Sequence, residues 1–227
     1  MKAGSNNFSA VYLHTREYGV KYNLFEPITE GDSASIHWRT GPVYYSTLFL
    51  TEAIHNLGST FVDLDLNSSN TNPEATIAGY AIYDNDGKER GKLALFNYAR
   101  EGAEPQAFDI PAGLTDTVHY RVLTAPSVYE KTEITWAGQT VRENGQLEGK
   151  QVIESMACAG GCTIHVPSPG AALVLVGSDG TFYEGNSTVA DWFGTAVSFD
   201  NGNGVASLGQ TYGIVFSLAF AFVAYFA

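Results

Sequence analysis

Two cysteines and five histidines are the side chains of this sequence that most readily bind metals or attack a substrate. Cys158 and Cys162 have a C-x-x-x-C spacing, and one such pair cannot supply the four ligands of a structural zinc site. The spacing favours a local disulfide over two free thiols, with a redox switch as the functional alternative. The histidines show no metal-ligand spacing such as H-E-x-x-H; they are His14, His37, His55, His119 and His165. The sequence therefore predicts no metal and no cofactor.

Acidic residues form two short clusters that could suggest a cation site. In Asp84-Asn85-Asp86-Gly87 the glycine would be the sixth residue of a calcium loop, which puts Ile82 at the first ligand position, and isoleucine cannot coordinate. We interpret this segment as a hairpin turn. Asp63 and Asp65 fall on one face of a predicted strand, the usual pattern of a solvated edge. Neither cluster predicts a metal site.

The charge balance excludes one class of partner. The 227 residues contain 12 Lys and Arg against 24 Asp and Glu, a formal net charge of −12. Nucleic acid is disfavoured because phosphate binding needs a basic surface. Hydrophobic residues make up 44% and aromatic residues 13% of the chain, which is enough apolar material for a packed core. The last charged side chain is Asp200, so an acidic body carries a neutral tail.

One strand and one helix precede the rest of the chain. Val11-Tyr12-Leu13-His14 is a short run of strand-forming residues. A helix is predicted from Pro42 to Leu57, since proline suits its first turn and the apolar residues recur at helical spacing. Gly58 is expected to end it. Because one strand is too little for this helix to pack on, the pair resembles the last β/α unit of a (β/α)8 barrel.

From residue 59 onward the hydrophobic period changes to two, which indicates strands. Short strand patterns follow one another, separated by turn signals such as Pro111-Ala112-Gly113 and Asn144-Gly145. The predicted strands are Thr60–Leu66, Thr76–Tyr83, Lys92–Tyr98, Val118–Thr124, Lys131–Trp136, Gln151–Glu154, Thr163–Val166 and Ala171–Gly177. Strands at this spacing predict an antiparallel β-sandwich and a mainly β fold class.

The chain has features of an extracellular protein, yet no secretory signal begins it. Residues 1–10 contain one lysine and no apolar segment. Asn-x-Ser/Thr sequons predict N-glycosylation at Asn7, Asn67 and Asn186. We interpret the chain as the carboxyl part of a longer secreted protein whose signal peptide lies upstream.

The final residues predict a lipid-anchor signal. Residues 213–227 are an apolar stretch of about 15 residues, short of the ~20 that a membrane-spanning helix needs. A polar spacer precedes it, and small residues at Asn201, Gly202 and Asn203 precede the spacer. This order is typical of a glycosylphosphatidylinositol (GPI) attachment signal, with the anchor on one of those three residues. The alternatives are a tail-anchor helix and a strand buried in the fold.

Several segments carry a family resemblance. Three resemble the end of the barrel in glycoside hydrolase family 79, which includes β-glucuronidases and is related to heparanase. They are Leu13-His14, Tyr22-Asn23-Leu24-Phe25 and residues 39–45 (RTGPVYY). Three more resemble the C-terminal β domain of that family in its fungal form: residues 78–83 (AGYAIY), 94–97 (ALFN) and 134–139 (ITWAGQ). The resemblance covers about residues 12–176.

The resemblance implies a retaining glycosidase that acts on β-linked glucuronic acid with two glutamates about 5 Å apart. In the family both lie on earlier barrel strands, so no catalytic residue is carried over to this chain, and we expect it to be inactive alone. Tyr22 is similar in position to a tyrosine that contacts the sugar carboxylate, and His14 ends the final barrel strand. Both are candidate substrate contacts, with packing roles as the alternative.

The sequence thus predicts four regions: a barrel remnant at 1–58, a β-sandwich at 59–177, a linker rich in Gly, Ser, Thr and Asn at 178–212, and the apolar tail at 213–227. The predicted function is support of a catalytic barrel that acts on a glycan containing glucuronic acid. The predicted location is extracellular or at the cell surface, with membrane contact only through the tail or its lipid. The alternatives are a carbohydrate-binding module and a noncatalytic, GPI-anchored cell-surface protein.

Overall fold

The computed structural model describes residues 1–6, 8, 11–14, 16, 20, 23–26, 39–54, 59–83, 91–142 and 145–176. The chain divides into two compact units, Met1–Phe182 and Tyr183–Ala227. All described residues belong to the first unit. The predicted linker, the predicted anchor site and the apolar tail lie outside the described residues.

The described part is mainly β, as predicted. Its helices are α1 (Lys2–Ser5) and α2 (Tyr44–Ala53), and a 3-10 turn covers Leu66–Ser68. The strands are β1 (Phe25–Glu26), β2 (Arg39–Thr40), β3 (Thr60–Asp63), β4 (Ile77–Tyr83), β5 (Gly91–Asn97), β6 (Gln106–Ile110), β7 (Thr117–Thr124), β8 (Thr135–Trp136), β9 (Thr140–Val141), β10 (Leu147–Glu148), β11 (Glu154–Ala157), β12 (Cys162–Val166) and β13 (Gly170–Val176). Every pairing among them is antiparallel.

A seven-stranded sheet forms the centre of the described structure. Its order is β11-β7-β13-β5-β4-β3, and the outer edge of β7 also pairs with β8. β11 takes the first half of that edge, with Glu154 opposite Tyr120, and β8 takes the second half, with Trp136 opposite Leu123. β6 and β12 form a separate two-stranded layer.

Both faces of the central sheet are buried, and β13 shows this most clearly. Its sequence, GAALVLV, has no alternation of polar and apolar residues, and every residue from Ala171 to Val176 is buried. A strand covered on both faces is expected to be apolar throughout. On one face Ala172, Val174 and Val176 pack with the β6–β12 layer; on the other Ala171 and Leu173 pack beneath α2. The β-sandwich is therefore covered by a helix on its second face.

Helix α2 packs on the sheet along a single stripe. Tyr45, Phe49 and Ala53, at a spacing of four, are buried against β4, β5 and β8. The Lys92 ammonium group donates to the carbonyl oxygen of Ala53 at 3.2 Å, which places a positive charge at the negative end of the helix dipole. Leu50, beside this stripe, and Ile54, the residue after the helix, are 36% and 37% exposed.

The first predicted strand is wrong, and the helix is shorter than predicted. Val11-Tyr12-Leu13-His14 is exposed and does not form a strand, because a strand needs a hydrogen-bonded neighbour and the described residues place none beside it. The helix begins at Tyr44 rather than Pro42 and ends at Ala53, where Ile54 leaves the helical region at ψ 38°. Gly58 lies outside the described residues.

Two predicted strands change for local reasons. Lys131–Trp136 is a strand only from Thr135, because the Glu130 carboxylate accepts hydrogen bonds from the backbone N–H groups of the three residues that follow it and holds them in a turn. These bonds lower the pKa of Glu130 to about 2. The predicted strand Gln151–Glu154 has the wrong bounds. The observed strand begins where the prediction ends and runs from Glu154 to Ala157, paired with β7. Strand β6 and the short strands β1, β2, β9 and β10 were not predicted.

The described residues include no helix that is long and apolar enough to cross a membrane. The apolar tail that raised this question is not among them.

Candidate functional site

The two-stranded ribbon β1–β2 leads into helix α2. Phe25 lies opposite Thr40, and the Phe25 ring contacts the Tyr44 ring at a centroid distance of 5.7 Å. Gly41 follows β2 and donates its backbone N–H to the carbonyl oxygen of Leu24 at 2.9 Å. The ribbon is thereby joined to the first turn of the helix.

Buried Asn23 holds the start of this ribbon. Its side chain is 1% exposed. The amide oxygen accepts from the backbone N–H of Arg16 at 2.8 Å, and the amide nitrogen donates to the carbonyl oxygen of Arg16 at 3.2 Å. One side chain therefore fixes the backbone of a residue seven positions earlier, on the path from the predicted barrel strand to the helix.

The backbone of Asn23 lies so close to Gly41 that there is no room for a side chain at residue 41. A Cβ atom added to Gly41 would lie 2.0 Å from the carbonyl oxygen of Asn23. We expect Gly41→Ala to lower the free energy of unfolding by more than about 2 kcal/mol, because backbone rather than a flexible side chain must move. Urea unfolding of the full chain measures this effect.

Gly91→Ala is the matched control for Gly41→Ala, since nothing lies within 4 Å of a Cβ atom at Gly91. At Gly91 we expect the free energy of unfolding to rise by about 0.4 to 1 kcal/mol rather than fall, because alanine reduces the conformational freedom of the unfolded chain. Equal stability of the two variants would contradict the close approach at Gly41.

The β9–β10 hairpin lies against this ribbon and the start of α2. The backbone N–H of Val141 donates to the Tyr45 hydroxyl at 2.7 Å. Burial raises the pKa of Tyr45 above its usual value, more than this hydrogen bond lowers it. At the hairpin turn, a Cβ atom on Gly145 would be 3.9 Å from the Thr40 hydroxyl oxygen. Thus the hairpin is hydrogen-bonded to the first turn of the helix, and its turn lies close to Thr40, the last residue of β2.

Arg142 and Glu148 form the charged side of the hairpin. The Arg142 Nε atom donates to Glu148 Oε2 at 2.7 Å, and Nη2 donates to Oε1. Their side chains are 56% and 54% exposed. The paired hydrogen bonds raise the pKa of Arg142 and lower the pKa of Glu148. A guanidinium group bonded through two atoms has a fixed orientation.

The substrate contacts predicted from sequence are only partly described. His14 is exposed and belongs to the segment that forms no strand. Tyr22 lies outside the described residues, next to Asn23. The described residues contain no group of three or more His, Cys, Asp or Glu side chains that could hold a metal ion.

The modification sites predicted from sequence fall on very different surroundings. Cys158 and Cys162 form a disulfide at the turn from β11 to β12, with a Cα–Cα distance of 4.9 Å. Cys158 is 1% exposed and is part of the core under the β6–β12 layer. Asn67 is exposed in the turn between β3 and β4. Asn7, Asn186 and the anchor candidates Asn201, Gly202 and Asn203 lie outside the described residues.

The hairpin is the part of this site that sequence reasoning missed. Its turn was predicted from Asn144-Gly145, and Gly145 has φ 83° as such a turn requires. The flanking strands have only two residues each, which is too short for a period-two pattern. The sequence signal that could have indicated the hairpin was the pair Arg142 and Glu148, six residues apart on either side of that turn.

One protein-family model matches part of the chain. Residues 79–173 match the family model described as the glycosyl hydrolase family 79 C-terminal beta domain. No curated protein matches the chain.

Two solved structures are similar to parts of the chain. An alpha-L-arabinofuranosidase from Thermotoga maritima, in complex with arabinose, is 19% identical with a TM-score of 0.32, and the match covers 44% of this chain and 19% of the other. A second arabinofuranosidase is 17% identical with a TM-score of 0.40, and the match covers 68% of this chain and 31% of the other. The chain spans less than a third of the length of either structure.

Proposed function

We propose, from the match of residues 79–173 to the glycosyl hydrolase family 79 C-terminal beta domain, that the chain supports the catalytic barrel of a β-glucuronidase-like enzyme. The acid/base and nucleophile glutamates belong to barrel strands that precede Val11 in the complete enzyme. The chain itself contributes the last β/α unit and the sandwich. Its substrate, through that enzyme, is a glycan containing glucuronic acid.

The outer side of helix α2 is the observation that carries this proposal. The inner side is fully used by the sheet, with Phe49 3% and Ala53 0% exposed. Leu50 and Ile54, beside that buried stripe, remain 36% and 37% exposed. In a β/α barrel, helices form the outer ring and pack on the strands inside it. Apolar side chains that remain partly exposed beside the buried stripe suit a helix that lies between a barrel and a sandwich.

The exposed segment before the ribbon supports the same arrangement. Val11, Tyr12 and Leu13 are 69%, 91% and 60% exposed. Strand-forming side chains of this size are usually buried when neighbouring strands are present. Barrel strands are parallel, so the partners of this segment would be other barrel strands rather than strands of the sandwich.

A split-enzyme experiment tests the supporting role. We would coexpress the full chain with a family 79 barrel fragment that ends before its last β/α unit, and assay hydrolysis of an aryl β-glucuronide. We expect activity only when both chains are present. The variant Leu50→Lys/Ile54→Lys is expected to abolish association while leaving the urea midpoint of the chain unchanged.

Leu114→Lys, which alters an exposed leucine in the loop before β7, is the control for that double variant. It should leave association intact. Hydrolysis by the chain alone, or failure of the two wild-type chains to associate, would contradict the supporting role.

A carbohydrate-binding module is the second candidate, favoured by one exposed ring. The Tyr98 side chain is 55% exposed, and its ring stacks on Phe96 with an interplanar angle of 13°. Exposed flat rings of this kind can meet the apolar face of a sugar. Trp136, in strand β8 of the sandwich, is only 4% exposed and therefore belongs to the core rather than to a sugar-binding surface. Saturable glycan binding by the isolated chain that Tyr98→Ala abolishes would favour this candidate.

An extracellular location accompanies the proposed function. Disulfides persist in oxidising compartments, and Cys158–Cys162 is such a bond. The sequon at Asn67 lies on an exposed turn, where a glycan can be added. The GPI anchor at residues 201–203 remains part of this proposal, tested by release of the cell-surface protein with a phosphatidylinositol-specific phospholipase.

A further inference from the structure

Two exposed tyrosines lie at the same end of the central sheet. Tyr98 directly follows β5, and Tyr129 lies in the loop between β7 and β8. The first residue of β13, Gly170, pairs with Asn97 of β5 on one side and with Thr124 of β7 on the other. Both loops therefore leave the sheet at one end, where the two strands lie two strand spacings, about 10 Å, apart.

The two loops also approach each other beyond the strands. The backbone nitrogen of Val128 lies 3.5 Å from Glu101 Oε2. Val128 directly precedes Tyr129 and is itself 45% exposed, and Glu101 follows three residues after Tyr98. Tyr98, Val128 and Tyr129 thus belong to one patch, which we call the two-tyrosine surface.

Core contacts hold the Tyr98 ring in place. The ring stacks on Phe96 at a centroid distance of 5.8 Å. Phe96 in turn meets the Tyr80 ring edge-on and the Phe49 ring at a tilt. The Tyr98 backbone N–H donates to the carbonyl oxygen of Thr76 at 2.6 Å. The ring is thereby fixed, although 55% of the residue is exposed.

Hydrogen bonds fix the backbone on both sides of Tyr129. Its N–H donates to Ser127 Oγ at 3.1 Å, and the N–H of Glu130 donates to the carbonyl oxygen of Ser127 at 3.3 Å. The Glu130 carboxylate then accepts from the N–H groups of the next three residues. Tyr129 is nevertheless 68% exposed. An aromatic side chain on a fixed turn loses little conformational freedom when a ligand binds.

The chemistry of the two-tyrosine surface suits a sugar chain. Three exposed apolar residues are far fewer than the about 20 to 30 that one side of a stable protein interface contains. A tyrosine offers a flat apolar ring and a hydroxyl group that can donate and accept hydrogen bonds. A pyranose with equatorial hydroxyl groups has a matching apolar C–H face and a polar edge. One tyrosine can therefore cover that face and bond at its edge.

The charge around the two-tyrosine surface favours a neutral sugar. Residues 98–105 and 125–134, which form the two loops, contain four glutamates against Arg100 and Lys131. The chain as a whole has a net charge of −12. This excess of negative charge repels a chain of uronic acids and does not affect a neutral glycan.

We propose that the two-tyrosine surface binds a neutral β-linked glucan, with sugar rings stacked on Tyr98 and Tyr129 at the same time. Glucose units have equatorial hydroxyl groups, which leave their apolar faces open to the rings. This inference rests on the carbohydrate-binding candidate and extends it by a second ring and a ligand class. It does not depend on the barrel.

The dependence of affinity on glycan length tests the pairing of the two rings. We would titrate the full chain by calorimetry with glucose, cellohexaose, laminarihexaose and a hexamer of galacturonic acid. Glucose can contact one ring only, whereas a hexasaccharide can contact both, so the better glucan should bind at least about a hundredfold more tightly than glucose. Tyr98→Ala and Tyr129→Ala should each lower the affinity for that glucan about tenfold or more.

Tyr83→Ala is the matched control. Tyr83 is 52% exposed and pairs with Gly91, at the opposite end of β5 from Tyr98, so this variant should bind like the wild type. Tyr98→Phe and Tyr129→Phe keep the stacking rings and should retain most of the affinity. The urea midpoint of each variant shows whether a lost affinity reflects unfolding.

The possible results separate this inference from the functions proposed above. Tighter binding of either glucan with the stated losses supports the proposal, and the better ligand identifies the linkage. Equal affinities for glucose and the hexasaccharides would overturn it, as would tighter binding of the galacturonic acid hexamer. If Tyr98→Ala alone lost affinity, the paired rings would be wrong and the carbohydrate-binding candidate would stand. No binding of any glucan would overturn both, whereas the supporting role depends only on the split-enzyme experiment.

Discussion

Replacing Trp136 with alanine is expected to lower the free energy of unfolding by about 3 to 5 kcal/mol, the range for a large aromatic side chain lost from a core. The side chain is 4% exposed, and its ring meets the Phe49 ring at a centroid distance of 5.3 Å. Its indole N–H also donates to the Glu52 carboxylate. Removing it thus detaches helix α2 from β8 and opens a cavity between them. Urea unfolding, followed by far-UV circular dichroism, measures the loss.

Two further variants separate packing from hydrogen bonding at this position. Trp136→Phe keeps an aromatic ring against Phe49 but lacks the N–H donor, so we expect an intermediate loss. Tyr129→Ala removes an aromatic ring that is 68% exposed and should change stability by less than about 0.5 kcal/mol. A Trp136→Ala variant as stable as Tyr129→Ala would show that α2 does not depend on this contact.

The second large effect is expected at the buried ion pair under α2. Arg121 Nη1 lies 2.7 Å from Glu52 Oε1, and the two side chains are 3% and 14% exposed. With its amide oxygen turned toward the guanidinium group, Gln151 accepts from Arg121 at 3.0 and 3.1 Å. We expect Arg121→Met to cost about 3 to 5 kcal/mol at pH 8, because it leaves a buried carboxylate without its ion-pair partner.

The pH dependence of that cost identifies its cause. Burial raises the pKa of Glu52 above its ordinary value of 4.5, and Arg121 opposes this rise. Because the folded-state pKa is the higher one, the stability linked to Glu52 is fully present below pH 4.5 and decreases as the pH rises through the folded-state pKa. Removal of Arg121 raises that pKa further, so the loss in Arg121→Met should be smaller at pH 5 than at pH 8.

The double variant Glu52→Leu/Arg121→Met is the control for the ion pair. Replacing both charges by apolar side chains is often neutral, so we expect it to recover most of the stability and to lose the pH dependence between pH 5 and pH 8. A single variant whose stability loss is the same at both pH values would contradict a role for the Glu52 charge. Thermal unfolding of the full chain at the two pH values measures all three.

The central strands could be predicted from the sequence because burial on both faces leaves a strong pattern. The apolar run of β13 and the runs of β4 and β5 were found within one or two residues of their observed bounds. In contrast, β6 has only two buried residues, Phe108 and Ile110, between Pro105 and Pro111. Its alternation of exposed and buried residues spans only four positions, and its burial comes from the long-range pairing with β12.

The candidate site was harder to predict for the same physical reason. The contacts of Asn23 with Arg16, and of Val141 with Tyr45, join residues that are 7 and 96 positions apart. A hydrogen bond to a backbone atom leaves no sequence signature on the residue that supplies that atom. The disulfide, by contrast, closes between cysteines four residues apart and was predictable from their spacing alone.

The position of β13 has a consequence for synthesis of the protein. It is the last strand in the described sequence, yet it pairs with β5 on one side and β7 on the other. Until residue 176 leaves the ribosome, the nascent chain can build β3–β4–β5 and the strands around β7 only as two separate halves. Each half exposes an unpaired apolar edge, which invites association between chains. The time between synthesis of β7 and β13 is therefore the interval in which this chain most needs protection by chaperones.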